Sequence, residues 1–263
     1  MKFFALFLSL FVIAGSASAG ETEIYENQKG QIFEGYVAYP DSVEFKGVRP
    51  LILVAHQWKG LGEYEKKRAD MLADLGYIAF AVDVYGQGIR PSMTEEAKTE
   101  SSKYKNEPDL ARERMMTALN HAKGLRNADT GRIAVFGYCF GGTMALELAR
   151  AGADIDAVIS FHGGLATDKK AQKGTIKPAI QIHHGEADPH VSQAEIEAFI
   201  AEMNNAEADW HMISYADAVH AFTEKEAGND PSTGAAYNEK ADKRSWAYTL
   251  EFLEMMFSER QDI

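Results

Sequence analysis

A short strand, a tight turn and a helix surround the single cysteine, and this stretch constrains the fold of the chain most strongly. Residues 133–136 form an apolar run that is too brief for a helix and is suited to a buried parallel strand. The turn reads G-Y-C-F-G from Gly137 to Gly141, and good helix-forming sequence continues from Thr143. This is the pattern of a nucleophile elbow with sulfur in place of the serine oxygen. Its flanking residues must be small because the strand and the helix approach each other closely.

Two interpretations of Cys139 are open at this point. At the start of a helix, the dipole and the free backbone N–H groups would favour a reactive thiolate. A free cysteine is also often only a small buried hydrophobic residue. Cys139 is the only cysteine of the chain, so it cannot form an intrachain disulfide. Residues further along the chain favour the reactive interpretation.

An acidic residue and a histidine follow later strands, in the chain order that an elbow-type hydrolase requires. Asp188 comes after the predicted strand 178–183, and His220 comes after the predicted strand 210–215. Each is weak evidence alone, because D-P is a common turn pair and the chain has eight histidines. Together with Cys139 they predict a triad in which the imidazole takes the thiol proton and the carboxylate orients the imidazole.

Strands and helices alternate along the chain, which predicts an α/β fold with a mostly parallel sheet covered by helices on both faces. No repeat, linker or change of composition divides residues 20–263, so we interpret them as one domain. In such sheets ligands bind beyond the carboxyl ends of the strands, where Cys139 would lie. The polar stretch 92–107 is predicted to lie over the surface. The predicted strands are 32–39, 51–56, 77–83, 133–136, 157–161, 178–183 and 210–215, and the main predicted helices are 63–75, 109–123, 143–149, 192–205 and 237–257.

Residues 1–19 have the pattern of a secretory signal peptide. Lys2 precedes an apolar run over residues 3–14, and A-S-A at residues 17–19 is typical of a cleavage site. The apolar run is too short to span a bilayer, so no stable membrane association is expected. We therefore expect an exported protein, periplasmic if the source is a Gram-negative bacterium. The formal net charge of -12 argues against nucleic acid as a partner.

The motifs around the predicted triad resemble those of the dienelactone hydrolase family of α/β-hydrolases. They are G-Y-C-F-G-G around Cys139, H-G-E-A-D-P around Asp188 and V-H-A-F-T around His220, and the similarity extends over almost all of residues 20–263. The resemblance implies an α/β-hydrolase fold and hydrolysis of a small ester or lactone through a thioester on Cys139, without a cofactor. It also implies an oxyanion hole formed by the backbone N–H groups of Phe140 and Trp58.

Two positions depart from the pattern of that family. Founding members carry a glutamate that interacts with the resting thiol, whereas this chain has Gln57, whose neutral amide cannot accept a proton. They also place an arginine shortly after the catalytic histidine to hold the substrate carboxylate, whereas this chain has Glu224, which would repel an anion. Arg90 is a candidate for the other cationic position. We therefore hypothesise a neutral ester or lactone as substrate. The candidate substrate pocket comprises Gln57, Tyr85, Arg90, His162 and Phe222.

Three alternatives were weighed against this interpretation. A metal site formed by His183, His184, His190 and Asp188 is disfavoured, because adjacent residues of a strand point to opposite faces. A degenerate hydrolase fold that only binds a ligand, and a general carboxylesterase or thioesterase, both stay open. The oligomeric state is also open.

Overall fold

The structure is a computed structural model that describes residues 20–259, so the predicted signal peptide lies outside the described residues. The described chain alternates between strands and helices. The strands are β1 (Glu21–Glu26), β2 (Ile32–Ala38), β3 (Arg49–Ala55), β4 (Ile78–Val82), β5 (Ala128–Tyr138), β6 (Ala157–Phe161), β7 (Ala179–Gly185) and β8 (Trp210–Tyr215). The helices are α1 (Glu63–Ala73), α2 (Thr94–Asn106), α3 (Pro108–Ala122), α4 (Phe140–Arg150), α5 (Gln193–Asn205) and α6 (Glu239–Glu259).

All eight strands belong to one sheet, in the order β1-β2-β4-β3-β5-β6-β7-β8. The strands β3 to β8 are mutually parallel, while β2 pairs antiparallel with both β1 and β4. This is the eight-stranded, mostly parallel sheet of the α/β-hydrolase fold, so the predicted fold class is confirmed. The parallel arrangement brings the carboxyl ends of β3, β5, β6, β7 and β8 to one edge.

Both faces of the sheet are covered by helices, and the side chains of each central strand alternate between them. In β3, Leu51 and Leu53 pack into the layer that contains α3, α4 and α5. Ile52 and Val54 of the same strand pack into the opposite layer, against α1 and α6. Because both faces are buried, the central strands are apolar along their whole length rather than alternating apolar and polar.

Two elements were not predicted. Strand β1 has only Tyr25 fully buried, and it pairs along one side with β2, so its sequence shows little of the apolar pattern of a core strand. The stretch 92–107 lies on the surface as predicted, but it contains the helix α2. Only Ala97, Ser101 and Tyr104 of α2 are buried, at positions i, i+4 and i+7 of one narrow face. Within residues 20–259, none of the helices is both long enough and apolar enough to cross a bilayer.

A buried ion network joins the elbow helix α4 to its neighbours. Arg150 donates through Nε and Nη2 to the two oxygens of Glu202, at 3.0 and 2.8 Å, and through Nη1 to Glu147 at 2.9 Å. The other oxygen of Glu147 accepts from Arg112 of α3 at 2.8 Å. The side chains of Arg150, Glu147 and Glu202 are no more than 3% exposed. The network therefore connects α3, α4 and α5 at the end of α4 opposite Cys139.

Replacing Arg150 with methionine should destabilise the protein strongly. The change leaves two buried carboxylates without their shared cation, which typically costs about 3–5 kcal/mol of unfolding free energy. The matched control is Lys173→Ala, which removes an exposed pair with Glu207 and should cost at most about 1 kcal/mol. Denaturant unfolding of both variants measures the difference, and equal losses would contradict a structural role for the network.

Candidate active site

The elbow holds Cys139 between β5 and α4 in a strained backbone conformation. Cys139 has φ 55° and ψ -117°, a positive φ that a residue with a side chain rarely adopts. A β-carbon on Gly137 would overlap the carbonyl of Gly141, and one on Gly141 would overlap the carbonyl of Ala55 in β3. The two glycines of the G-x-C-x-G pattern are therefore required by the close approach of α4 to the strand ends, as the sequence predicts.

The structure brings the three predicted triad side chains together. The Nε2 atom of His220 lies 3.0 Å from Sγ of Cys139, and its Nδ1 atom lies 2.8 Å from Oδ2 of Asp188. The Asp188 side chain is fully buried, while 15% of the His220 side chain is exposed. The other carboxylate oxygen of Asp188 accepts the backbone N–H of His190 at 2.8 Å. The carboxylate is thus held in place from both sides.

Backbone hydrogen bonds hold His220 in the loop after β8. Its N–H donates to the carbonyl of Gly234 at 3.2 Å, and its carbonyl accepts the N–H of Ala236 at 3.0 Å. The next residue, Ala221, has φ 57° and turns the chain away from this short bridge. The segment that leads into α6 therefore fixes the position of the imidazole.

The surroundings favour a thiolate–imidazolium pair. Burial opposes ionisation of Cys139, but the charge and the hydrogen bond of His220 outweigh it and lower the pKa of the thiol. Burial likewise opposes protonation of His220, yet Cys139 and Asp188 together raise the pKa of the imidazole. The backbone N–H of Phe140, at the start of α4, also bonds to the sulfur and lowers the pKa of the thiol further.

The loop after β3, which carries Gln57 and Trp58, is fixed by a buried glutamate. Glu65 of α1 accepts the N–H of Gln57 through one oxygen and the N–H of Gly62 through the other, both at 3.0 Å. Only 2% of Glu65 is exposed. Its carboxylate therefore ties the two ends of the loop to the first turn of α1. Glu65 follows the N-cap Gly62 by three residues and provides the carboxylate half of a capping box, while glycine has no side chain to provide the other half.

Two further side chains hold the same loop. The hydroxyl of Tyr85 donates to the carbonyl of Trp58 at 2.8 Å. His56 is buried, which lowers its pKa to about 4. Its Nδ1 atom lies 2.6 Å from the carbonyl of Gln57, and its Nε2 atom accepts the N–H of Val84 at 3.2 Å. These contacts keep the backbone of Trp58 in one orientation, which an oxyanion hole requires.

The structure places most of the predicted pocket residues behind the site rather than on its surface. Tyr85 and His162 are each 1% exposed and Phe222 is fully buried, so they support neighbouring groups instead of lining an open pocket. The guanidinium of Arg90 donates to Asp83 at 3.3 Å and to the carbonyls of Glu34, Gly86 and Ile89. These contacts stabilise the loop after β4, and a substrate-binding role of Arg90 stays a prediction.

A cleft of about 720 Å³ lies between the loop after β3, α1 and residues 223–227, which follow His220; none of the three triad side chains lines it. Gln57, Trp58 and Glu224 line it. Of the predicted pocket residues, Gln57 is therefore the one that faces an open space. The cleft is also lined by charged side chains of both signs, the cations Lys59 and Lys225 together with the acidic Glu224.

One contributor to the site was not foreseen from the sequence. Lys105, near the end of α2, lowers the pKa of Cys139 through its charge. Tyr104, the preceding residue, stacks on Tyr85 with ring centroids 5.3 Å apart and contacts Phe140 edge-on at 5.9 Å. The sequence contained no signal for these contacts because α2 was not itself predicted.

Two of the residues considered as metal ligands, His183 and Asp188, have other hydrogen-bond partners. The ring of His183 lies 2.8 Å from the hydroxyl of Tyr215 and 2.9 Å from that of Thr249. Asp188 is bonded to His220. In the part of the chain that the structure describes, no group of three or more His, Cys, Asp or Glu side chains is arranged to hold a metal ion.

An elbow-borne nucleophile with a histidine and an acid from later strand ends defines the α/β-hydrolase superfamily as the class of this protein. Comparison with protein families gives the particular group. The model of the dienelactone hydrolase family matches residues 33–257, and the chain belongs to that family.

Solved structures agree with this assignment. The structure of m3DLH is 29% identical, covers 91% of this chain and 99% of its own, and superposes with a TM-score of 0.84. The structure of a dienelactone hydrolase-like promiscuous phosphotriesterase from metagenomic libraries is 30% identical, covers 90% and 98% of the two chains, and also has a TM-score of 0.84.

A curated relative from Yersinia pestis, named "Putative carboxymethylenebutenolidase", is 26% identical over 77% of this chain and 78% of its own.

The reactivity of Cys139 should extend below the pH at which an ordinary free thiol ionises. Because the pKa of the thiol is lowered, the thiolate persists as pH falls, until it is protonated below that lowered pKa. The variant His220→Gln removes the favourable charge while burial remains, so the pKa of the thiol should rise to or above its ordinary value. The rate of alkylation by iodoacetamide, measured from pH 5 to pH 10, tests this.

The control for that measurement is His121→Gln. His121 pairs with Glu23 of β1, the edge strand at the end of the sheet opposite β7 and β8. This variant should leave the alkylation profile unchanged. A parent protein whose thiol reacts only above the ordinary pH range would show that the ion pair does not form.

Proposed function

We propose that this protein hydrolyses a small, neutral ester or lactone through a covalent thioester on Cys139. The observation that carries the proposal is the continuous set of contacts from Sγ of Cys139 to Nε2 of His220 and from Nδ1 to Asp188, at 3.0 and 2.8 Å. Membership of the dienelactone hydrolase family supports an ester or lactone as the substrate class. Residues 20–263 would act as one catalytic domain and, given the pattern of residues 1–19, as an exported one.

In the first half of the reaction, the Cys139 thiolate attacks the carbonyl carbon of the substrate. The carbonyl oxygen gains negative charge, which the backbone N–H groups of Phe140 and Trp58 would stabilise. When the tetrahedral intermediate collapses, the bond to the alcohol oxygen breaks and His220 gives its Nε2 proton to that oxygen. The products are the alcohol, or the opened lactone, and a thioester on Cys139.

In the second half, His220 is neutral and acts as a general base. It takes a proton from a water molecule, which attacks the thioester carbonyl, and collapse of the intermediate releases the carboxylic acid. The sulfur leaves as a thiolate and the imidazole keeps the proton, so the resting ion pair is restored. Asp188 accepts the Nδ1–H hydrogen bond throughout and stabilises the imidazolium in both halves.

The preference for a neutral substrate is supported by Gln57 and Glu224. The side chain of Glu224 hydrogen-bonds to that of Gln57, both line the cleft between the loop after β3 and α1, and Glu224 interacts electrostatically with His220. Burial raises the pKa of Glu224 and the bond to Gln57 opposes this rise. A carboxylate at this position repels an anionic substrate when it is ionised. A neutral ester carries no such penalty.

A second candidate reaction is the hydrolysis of a phosphotriester. The observation that favours it is the similarity, at 30% identity over 90% of this chain, to a dienelactone hydrolase-like promiscuous phosphotriesterase. The same thiolate and the same N–H donors could serve attack at phosphorus: an S–P bond forms while the bond from phosphorus to the leaving oxygen breaks and His220 protonates that oxygen. Water activated by the neutral His220 would then attack phosphorus, break the S–P bond, release the phosphodiester and restore the thiolate. Turnover of a neutral aryl phosphotriester, measured beside that of p-nitrophenyl acetate, distinguishes the two candidate reactions.

Turnover of p-nitrophenyl acetate should depend on the sulfur of Cys139. Removal of the nucleophile in Cys139→Ala should abolish acetyl transfer, which is visible in the parent as a mass increase of one acetyl group on the intact protein. Cys139→Ser should be slower by at least about a hundredfold, because a serine hydroxyl is far less acidic and depends more on its base. A serine variant as fast as the parent, or a fully active alanine variant, would contradict the thiol mechanism.

Substitution of Glu224 should change the selectivity for substrate charge. In Glu224→Gln the negative charge is lost while the hydrogen-bonding group is kept. The ratio of kcat/KM for an anionic ester to that for a neutral ester of equal size should then rise, by about threefold to tenfold for a charge effect of this kind. The control is Glu226→Gln on the same segment, which should change the ratio less. An unchanged ratio in Glu224→Gln would exclude Glu224 as the source of charge selectivity.

A further inference from the structure

A second buried histidine lies against the imidazole of the triad. His162 follows β6 and is 1% exposed. Its ring centroid lies 5.2 Å from that of His220, with an angle of 67° between the ring planes. The ring of His190 contacts His220 in a similar way at 5.0 Å, but His190 is exposed. His162 is therefore the more tightly held of the two ring neighbours.

His162 occupies an unfavourable backbone conformation. Its φ is 41°, which a residue with a side chain rarely adopts. Such a conformation persists only where the surrounding structure imposes it, and these outliers concentrate at functional sites. Here the N–H of His162 donates to the carbonyl of His183 at 2.8 Å, while the ring packs edge-on against Phe222 at 5.1 Å.

A chain of hydrogen bonds fixes the state of this ring. Arg68 donates through Nε and Nη2 to the hydroxyl oxygen of Tyr64, at 3.2 and 3.0 Å, and arginine can only donate. The Tyr64 proton is therefore directed to Thr223, whose Oγ1 lies 2.7 Å away. The Thr223 proton is then free for Nε2 of His162, at 2.9 Å. Arg68 is anchored in turn by Asp242 at 2.9 Å.

With this order of donors, a neutral His162 ring accepts the Thr223 hydroxyl at Nε2, while its buried Nδ1 atom has no hydrogen-bond partner among the described residues. Burial, together with the neighbouring charges of His220 and Arg68, lowers the pKa of His162 well below its ordinary value. A neutral ring is compatible with an imidazolium on the adjacent His220, whereas a second positive charge would oppose it.

We propose that His162 is a positioning residue, whose ring is held by the Thr223 hydroxyl and fixes the plane of His220 so that Nε2 stays on the Cys139 sulfur. The bonds to Asp188 and Cys139 leave the tilt of the imidazole about the line between its two nitrogens unconstrained. A buried ring against the imidazole removes that freedom. The inference rests on the proposed thiol chemistry and adds a residue to it.

Charged and titratable groups from several elements face these rings. Lys105 of α2 and Tyr85 lie around the sulfur, and Asp188, His190 and Glu224 lie around His220. Arg68 of α1 and His183 of β7 act on His162. None of these groups changes in the variants used for the test, so a shift in the reactivity of Cys139 can be assigned to the altered tether.

The test compares Thr223→Val with Thr223→Ser. Valine keeps the shape of threonine but cannot donate to His162, and Tyr64 keeps the carbonyl of residue 223 as an acceptor, at 3.3 Å in the parent. In Thr223→Val the iodoacetamide alkylation profile of Cys139 should move to higher pH, with a rate at pH 6 about tenfold lower, as a shift of one pKa unit requires. Thr223→Ser keeps the hydroxyl and should stay within about twofold of the parent.

His162→Phe is the second variant, because it keeps an aromatic ring against His220 but cannot accept from Thr223. It should shift the profile in the same direction as Thr223→Val. Unfolding midpoints of all three variants show that the rates refer to folded protein. A Thr223→Val protein with the parental profile, or equal shifts in Thr223→Val and Thr223→Ser, would overturn the proposal.

Alkylation needs no ester, so the test is independent of turnover. If the parent hydrolyses no ester and the alkylation profiles of the variants shift as expected, the proposed function is contradicted and the positioning role stands. If the parent hydrolyses an ester and the variants have the alkylation profile of the parent, the positioning role is contradicted and the proposed function stands.

Discussion

The close approach of α4 to the ends of β3 and β5 is the constraint on which the site depends. It is possible because Gly137 and Gly141 carry no side chain, and it forces Cys139 to φ 55°. The strained turn directs the sulfur toward the loop after β8, where Nε2 of His220 lies 3.0 Å away. Strain of this kind is stable only in a rigid framework. The doubly covered parallel sheet and the buried contacts of Arg150 supply that framework.

The charges of the site alternate in sign within a few ångströms. A thiolate on Cys139, an imidazolium on His220 and the carboxylate of Asp188 follow one another, and the cation lies between two anions. Gln57 adds no further charge near the sulfur, so no carboxylate at that position competes for the proton of the thiol. In the proposed mechanism, activation of Cys139 is then a property of the resting site, produced by His220 itself. This explains how a buried thiol can have a lowered pKa despite the cost of burying its charge.

The fold class, which is confirmed, and the three triad positions, whose side chains the structure brings together, were predicted from local patterns or from chain order. The elbow is visible because its glycines and its cysteine are contiguous, and the sheet is visible because apolar runs alternate with helical periods. Asp188 and His220 were found because parallel strands bring their following loops to one edge. The helix α2 was missed because only one narrow face of it is buried, with Tyr104 as its main anchor. Strand β1 was missed because a polar edge strand has little apolar signal.

The amino-acid sequence by itself determined the fold class, the position of the candidate nucleophile and the chain order of its candidate partners, since each follows from residues close together in the chain or from the topology of a parallel sheet. The tertiary structure alone decided what the side chains around them do. Tyr85 and Phe222 are buried behind the site, Arg90 hydrogen-bonds to Asp83 in the loop after β4, and Glu65 accepts the backbone N–H of Gln57. Such roles depend on contacts between residues that are tens of positions apart in the chain. That is a property of packing, and no local pattern of residues encodes it.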